Sequence, residues 1–161
     1  MIWAGEEVAK FVKVKSMGQI QPNGVDLTVG EIYSFASSGG LGEQSKDLPK
    51  YKEILPDDSG YYVLKPGAYL VRYAEEIRIP KQAIGLVFPR STLQRMGATV
   101  YTSVWDSGYE GRGVGLLVVF NPHGIKISRS ARICQMIFID ARAFKEYAGS
   151  YQHEGLKKKS Y

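Results

Sequence analysis

Ala83-Ile84-Gly85-Leu86-Val87-Phe88-Pro89-Arg90-Ser91-Thr92-Leu93-Gln94-Arg95-Met96-Gly97 changes character halfway along. Residues 83–88 are an apolar run of strand length, and Pro89, with no N–H to give a central ladder, ends it. The remainder predicts a helix of barely more than one turn, with Ser91 as N-cap and Gly97 where a helix commonly stops. Backbone N–H groups at such a start point outward unpaired. An anion can bind there, with Arg90 and the hydroxyls of Ser91 and Thr92 as further donors. Many proteins combine a strand, a capped turn and two basic residues without any ligand, so local chemistry leaves both readings open.

Strand signals surround this turn on both sides. Downstream, the β-branched and aromatic run 98–105 and the apolar run 114–120 flank Asp106-Ser107-Gly108-Tyr109-Glu110-Gly111-Arg112-Gly113, which reads as a hairpin with Asp106 and Tyr109 at its tip. Asn121-Pro122-His123-Gly124 is a turn, Ile125 and Ile127 alternate on the next strand, and Gln135 lies inside the apolar run 133–139. Upstream, Gln21-Pro22-Asn23-Gly24 forces a turn and residues 25–29 alternate as a strand, which places Asp26 just after the turn. Residues 5–12 suit a short helix with Val8, Phe11 and Val12 facing inward. Residues 37–60 lose apolar periodicity and read as a surface excursion. Strands follow at 61–64 and 68–73, joined by Lys65-Pro66-Gly67, with Tyr69, Val71 and Tyr73 on one face. Many short strands with one or two short helices indicate an all-β, jelly-roll-like barrel. Taken alone, Asp26 and Asp106 are turn formers and Gln135 is a buried amide that must be paired.

The chain has 161 residues, 44% hydrophobic and 23% charged, which suits one globular domain, 1–161, with a flexible tail from about residue 148. No apolar run approaches the roughly 20 residues of a membrane span, and the amino terminus lacks a signal-peptide pattern; the expectation is a cytoplasmic protein with no membrane partner. One cysteine, Cys134, rules out an internal disulfide, and with only His123 and His153 there is little to build a structural zinc site. Cys134 reads as a buried, inert thiol. Net charge is +5, of which Lys157, Lys158 and Lys159 supply three, and no basic stripe or nucleic-acid module appears. A small polyanion suits this charge as well as a duplex does, and no nucleic-acid partner is expected.

Four of these segments, in order, resemble the motifs of the dUTPase and dCTP deaminase superfamily: Gly24-Val25-Asp26-Leu27, Pro89-Arg90-Ser91-Thr92-Leu93, Asp106-Ser107-Gly108-Tyr109-Glu110-Gly111 and Arg132-Ile133-Cys134-Gln135. The resemblance implies a dUTPase-like barrel. It gives Arg90, Ser91, Thr92, Arg95 and Gln135 to the triphosphate, and Asp106 to the attacking water as general base. Tyr109 would pack on the deoxyribose, and hairpin backbone around Val104 would read the base. Asp26 would act on the magnesium side of the site through water, with Mg²⁺ carried by the triphosphate. Glu110, in the same loop as Asp106, is a weaker rival base because its family position is variable or basic. Ala148-Gly149-Ser150-Tyr151-Gln152-His153 resembles the Tyr-Gln tail that closes over the nucleotide in the deaminase branch, which adds Tyr151 and Gln152. The resemblance further implies a homotrimer with sites shared between subunits.

The branch is decided on the return arm of the hairpin. A deaminase of this superfamily needs a Glu there for proton transfer. Counted from Asp106, that position is Leu116, and residues 114–121 contain no acid. A leucine cannot move protons, and such a group contributes ~10²–10⁴ in rate. The expected reaction is hydrolysis of dUTP to dUMP and pyrophosphate. The alternatives are a dCTP deaminase or bifunctional enzyme using an acid elsewhere, and a non-catalytic deoxynucleotide sensor.

Overall fold

The structure, a computed structural model, describes residues 1–156; the end of the tail, with Lys157, Lys158 and Lys159, lies outside the described residues. The amino-terminal part holds helix α1 (Gly5–Val8), a 3₁₀ turn (Met17–Gln19), β1 (Ile20–Gln21) and the long β2 (Gly24–Phe35). Next come β3 (Gly40–Leu41), β4 (Lys46–Asp47), β5 (Tyr51–Ile54), β6 (Tyr61–Leu64), β7 (Gly67–Tyr73) and β8 (Ile77–Arg78). The motif-bearing part has β9 (Ala83–Pro89), α2 (Ser91–Arg95), β10 (Ala98–Tyr101), β11 (Glu110–Gly111), β12 (Val114–Val119), β13 (Ile125–Ser128) and β14 (Arg132–Asp140).

The main sheet runs β10-β12-β7-β2-β14-β9, antiparallel throughout, with β1 and β5 also on β2. Its two ends meet. Gly85 of β9 and Trp105 exchange N–H···O bonds of 2.9 and 3.0 Å, and the Thr102 hydroxyl donates to the Val87 carbonyl at 3.0 Å. Gly85 makes this closure possible, because a Cβ there would lie 2.9 Å from Ile79 Cδ1 and 3.1 Å from Trp105 Cβ. The result is a nearly closed antiparallel barrel, as the strand pattern predicts.

β2 is the spine. Its first half pairs with β14 and its second with β7 and β5, and both ladders are irregular at the changeover, between Arg132 and Cys134 and between Val29 and Glu31. Residues 24–30 are all buried, and Gln19 of the 3₁₀ turn bonds to the Asp26 carbonyl of this stretch. Leu27, Ile32, Val71, Leu117, Met136 and Phe138 form the centre of the core, each fully buried and worth ~1.5–3 kcal/mol.

Several local expectations are corrected. The helix over 5–12 is only Gly5–Val8, because Val12 instead bridges Ile77 as a strand pair. Arg90, not Ser91, caps α2: its N–H is held by the Ile133 carbonyl at 2.9 Å with extended backbone (φ −71°, ψ 146°), so the helix starts one residue early. Gly97, at φ +77°, follows the helix as expected. The turn at residues 65–67 does not pair its flanking strands; β6 pairs with β13, and β7 with β2 and β12. The 37–60 excursion contains the β3–β4 hairpin and β5. No described helix is long and apolar enough to cross a membrane.

Candidate functional site

β14 lies between β2 and β9 with Asp26, Gln135 and Phe88 in one row of the ladder. Directly paired residues project to the same face, so this row is set apart from its neighbour Val25, Met136 and Val87, which belongs to the core. Asp26 is 1% exposed. Its Oδ2 accepts from Arg90 Nη1 at 3.0 Å and Arg132 Nη1 at 3.3 Å, while Oδ1 is buried with no partner among the described residues. Burial pushes the Asp26 carboxyl up from its ordinary range, and the two guanidiniums pull it back part of the way. Gln135 Nε2 donates to the Asn23 carbonyl at 3.1 Å. Ser91, Thr92 and Arg95 are exposed on α2, directly after Arg90, and the first turn of this short helix leaves its N–H groups free. Two guanidiniums, an amide and two hydroxyls thus converge at one end of β9, a donor set for an anion.

The second group of residues belongs to the hairpin. β10 and β12 pair from Ala98–Val119 to Tyr101–Leu116, and the loop between them is pinned at several points. β11 pairs with β8, the Ser107 hydroxyl donates to the Ala83 carbonyl at 2.7 Å, and the Gly108 N–H donates to the Ile79 carbonyl at 3.0 Å. Under this loop is a cavity of about 270 Å³ lined by Ser103, Val104, Trp105, Asp106, Tyr109, Gly113, Val114, Tyr147, Tyr151 and Glu154. Asp106 is exposed at its edge, and its side chain makes no hydrogen bond or ion pair among the described residues. The Tyr109 ring is buried edge-on against Trp105 (5.1 Å) and Tyr147 (5.7 Å). Its hydroxyl donates to Glu154 Oε1 at 3.0 Å, and burial followed by the Glu154 charge raises the phenol far above its ordinary value. Burial also raises Glu154, opposed by the Tyr109 hydrogen bond and by Arg72.

The tail is seated on this loop. Gln152 Nε2 donates to the Gly108 carbonyl at 2.9 Å and its Oε1 accepts the Glu110 N–H at 3.0 Å. The His153 N–H donates to the Glu110 carbonyl at 2.7 Å, and the Arg112 N–H to the Glu154 carbonyl at 2.8 Å. Gln152 therefore ties the tail down beside the cavity, whereas Tyr151 lines it, with Lys46 of β4 4.4 Å above the Tyr151 ring.

Within one chain these two groups stay apart. Trp105 pairs with Gly85 near the start of β9, and Arg90 follows its far end. At ~3.3 Å per residue, the five steps from Gly85 to Arg90 are roughly 17 Å of strand. Asp106, Val104, Tyr109 and Tyr151 share the cavity; Asp26, Arg90 and Gln135 share the cradle beside Ser91, Thr92 and Arg95. Sequence reasoning passed over Arg132, Tyr147 and Glu154. Arg132 stood in the fourth motif and Glu154 two residues beyond Gln152, but only packing shows what either touches. Among the described residues no group of three or more His, Cys, Asp or Glu could hold a metal ion. Asp26, flanked by two arginines, fits a water-mediated contact to a metal arriving with an anionic ligand, and not a resident metal.

The chain belongs to the dCTP deaminase-like family, whose model matches residues 4–141. It is 46% identical over 147 residues to a probable deoxyuridine 5'-triphosphate nucleotidohydrolase of Aeropyrum pernix, covering 90% of this chain and 92% of the relative. The probable deoxyuridine 5'-triphosphate nucleotidohydrolase of Halobacterium salinarum is 39% identical, over 93% of both chains. That of Methanocaldococcus jannaschii, named without the qualifier, is 41% identical, over 83% of this chain and 87% of the relative. Among solved structures, 2'-deoxycytidine 5'-triphosphate deaminase from Agrobacterium tumefaciens has the same fold, with a TM-score of 0.65 at 21% identity, over 87% of this chain and 48% of that one.

Proposed function

We infer that this protein hydrolyses dUTP to dUMP and pyrophosphate. The observation that carries the reading is the Asp106 carboxylate, unpaired among the described residues, at the edge of an aromatic cavity to which the return arm, β12, contributes Val114 and no acid. The names of the relatives support the same substrate. The base and deoxyribose enter the cavity, where backbone at Val104 reads the base and Tyr109 backs the sugar. Arg90, Arg95, Ser91, Thr92 and Gln135 hold the triphosphate. Asp106 takes a proton from water as its oxygen attacks the α-phosphorus; the bond from that phosphorus to the α,β-bridging oxygen breaks, and pyrophosphate leaves. Mg²⁺, when bound with the triphosphate, neutralises charge on its oxygens. Asp26 Oδ1, the buried acceptor without a partner, is the atom that would receive a hydrogen bond from a water on that ion.

The separation along β9 implies that the two halves of a working site come from different subunits. We place the hairpin of one subunit over the cradle of the next, in a homotrimer. Phe88, Tyr101 and Val104, each more than half exposed, supply apolar surface for such an interface beside both halves.

Product analysis with Mg²⁺ and either dUTP or dCTP tests the reaction: dUMP and pyrophosphate from dUTP, with dCTP untouched, is the expected result. Ammonia released from dCTP would overturn the choice of branch. Mixing Asp106→Ala and Ser91→Ala proteins tests sharing, since subunit exchange then rebuilds intact sites; no recovered activity would count against it.

A further inference from the structure

Behind the cradle lies a carboxylate to which the reaction gives no task. Glu75, just after β7, is 0% exposed and makes no ion pair among the described residues. All its partners are neutral donors: Gln19 Nε2 (2.9 Å) and the Thr28 hydroxyl (2.6 Å) on Oε1, and the Thr28 N–H (2.9 Å) on Oε2. Gln19, 1% exposed, uses its second amide proton on the Asp26 carbonyl at 2.8 Å. Its Oε1 accepts the N–H groups of Lys15 (2.7 Å) and Ser16 (3.1 Å), so the amide cannot turn without losing partners. The Thr28 carbonyl is taken by Ala74 N–H at 3.0 Å, next to Glu75.

These bonds cluster where β2 changes partner and both of its ladders are irregular. The β14 ladder breaks between Leu27 and Thr28, so the bonds to Thr28 hold β2 at the break, two residues from Asp26, whose own pairing with Gln135 is regular. The 3₁₀ turn adds a second link, because Arg132 Nη1, besides meeting Asp26, donates to the Gly18 carbonyl. An apolar cluster would fill such a space without burying a carboxyl group, which points to a positional role.

We propose that Glu75 is a positioning residue for the phosphate cradle: through Thr28 and Gln19 it fixes the strand segment bearing Asp26, and Asp26 sets Arg90 and Arg132. This deepens the reading of the site as a triphosphate-binding one and rests on it. None of Gln19, Thr28 or Glu75 lines the Asp106 cavity, so the role has a signature that general loosening of the fold lacks. Binding that depends on the β- and γ-phosphates should weaken while binding of the nucleoside part stays.

The test compares wild type, Glu75→Gln and Thr28→Val for dUTP turnover, for inhibition by dUMP, and for binding of inorganic triphosphate by calorimetry. Glu75→Gln turns an acceptor towards buried donors and should raise the KM for dUTP and the Kd for triphosphate about tenfold, with dUMP inhibition within about twofold. Thr28→Val removes one donor and should move the same quantities about threefold, and it decides the matter if Glu75→Gln is not recovered folded. Unchanged triphosphate binding in a folded variant, or equal loss of triphosphate and dUMP binding, overturns the proposal. If wild type binds triphosphate but turns over no dUTP, the inferred reaction fails, and the triphosphate comparison still decides the role of Glu75.

Discussion

Asp26→Asn separates what the buried carboxylate does for stability from what it does for binding. At an effective dielectric of 20, contacts of 3.0 and 3.3 Å to Arg90 and Arg132 are each worth about 5 kcal/mol of Coulomb attraction. Against this stand several kcal/mol for desolvating each ion, and ~1–3 kcal/mol for the partnerless Oδ1. Burial holds the carboxyl above its ordinary range, and the arginines offset this only in part. A carboxyl with a raised folded pKa contributes most stability below its unfolded pKa, and that contribution is lost as pH rises through the folded value. Wild-type stability should therefore lose ground to the Asn variant as pH rises from about 4. At pH 7 the variant should be within about 1 kcal/mol of wild type, far from the ~3–5 kcal/mol of a broken buried pair. Binding should behave oppositely, because Arg90 and Arg132 lose the charge that aims them; the KM for dUTP should rise about tenfold or more. Urea unfolding at several pH values, with steady-state kinetics at neutral pH, checks both. A wild-type advantage that grows with pH, or a variant with unaltered KM, would refute the reasoning.

Asp106→Asn should lower kcat by ~10²–10⁴; because the side chain is exposed and unpaired, thermal unfolding and dUMP binding should stay at wild-type values, and a kcat within tenfold would remove Asp106 as base. Tyr109→Phe keeps the ring but cuts the tie to Glu154, so limited proteolysis after residue 147 should quicken, with a stability loss of about 1 kcal/mol; an unchanged digestion rate would mean that Gln152 and the backbone bonds hold the tail alone. Cys134 is buried, and desolvation pushes its thiol up to about 12, so a thiol reagent at pH 8 should label it only after denaturation. Rapid labelling of the native protein would contradict the burial.

The parts of this molecule that could be read in its sequence are local ones. Strands over residues 83–88 and 133–139 follow from apolar runs, and Gly108 and Gly124 mark true turns, whereas the run 98–105 is a strand only as far as Tyr101. The partner of β6 was out of reach, because Lys65-Pro66-Gly67 looks like a hairpin turn while the pairing with β13 depends on residues about 60 positions away. The motif residues stood out only through their resemblance to a family pattern, since taken alone Asp26 and Asp106 are turn formers and Gln135 is a buried amide. Glu75 did not stand out. Nothing in the local sequence separates Glu75 from Glu76, and only the packing puts the first in the core and the second beside Lys13 at the surface. Glu154 was hidden for a similar reason, as one charge in a polar tail.

The length of β9 between Gly85 and Arg90 also bears on how such a protein can change over time. On the proposed reading, the base and sugar are recognised at one end of this strand and the phosphates at the other, so within one chain most residues of either group can change without touching the other. Exchanging residues 98–120 for those of a relative with a different base preference should carry the preference across while leaving the cradle at residues 89–97 intact. A single barrel can in this way diversify among nucleotides by revising one hairpin.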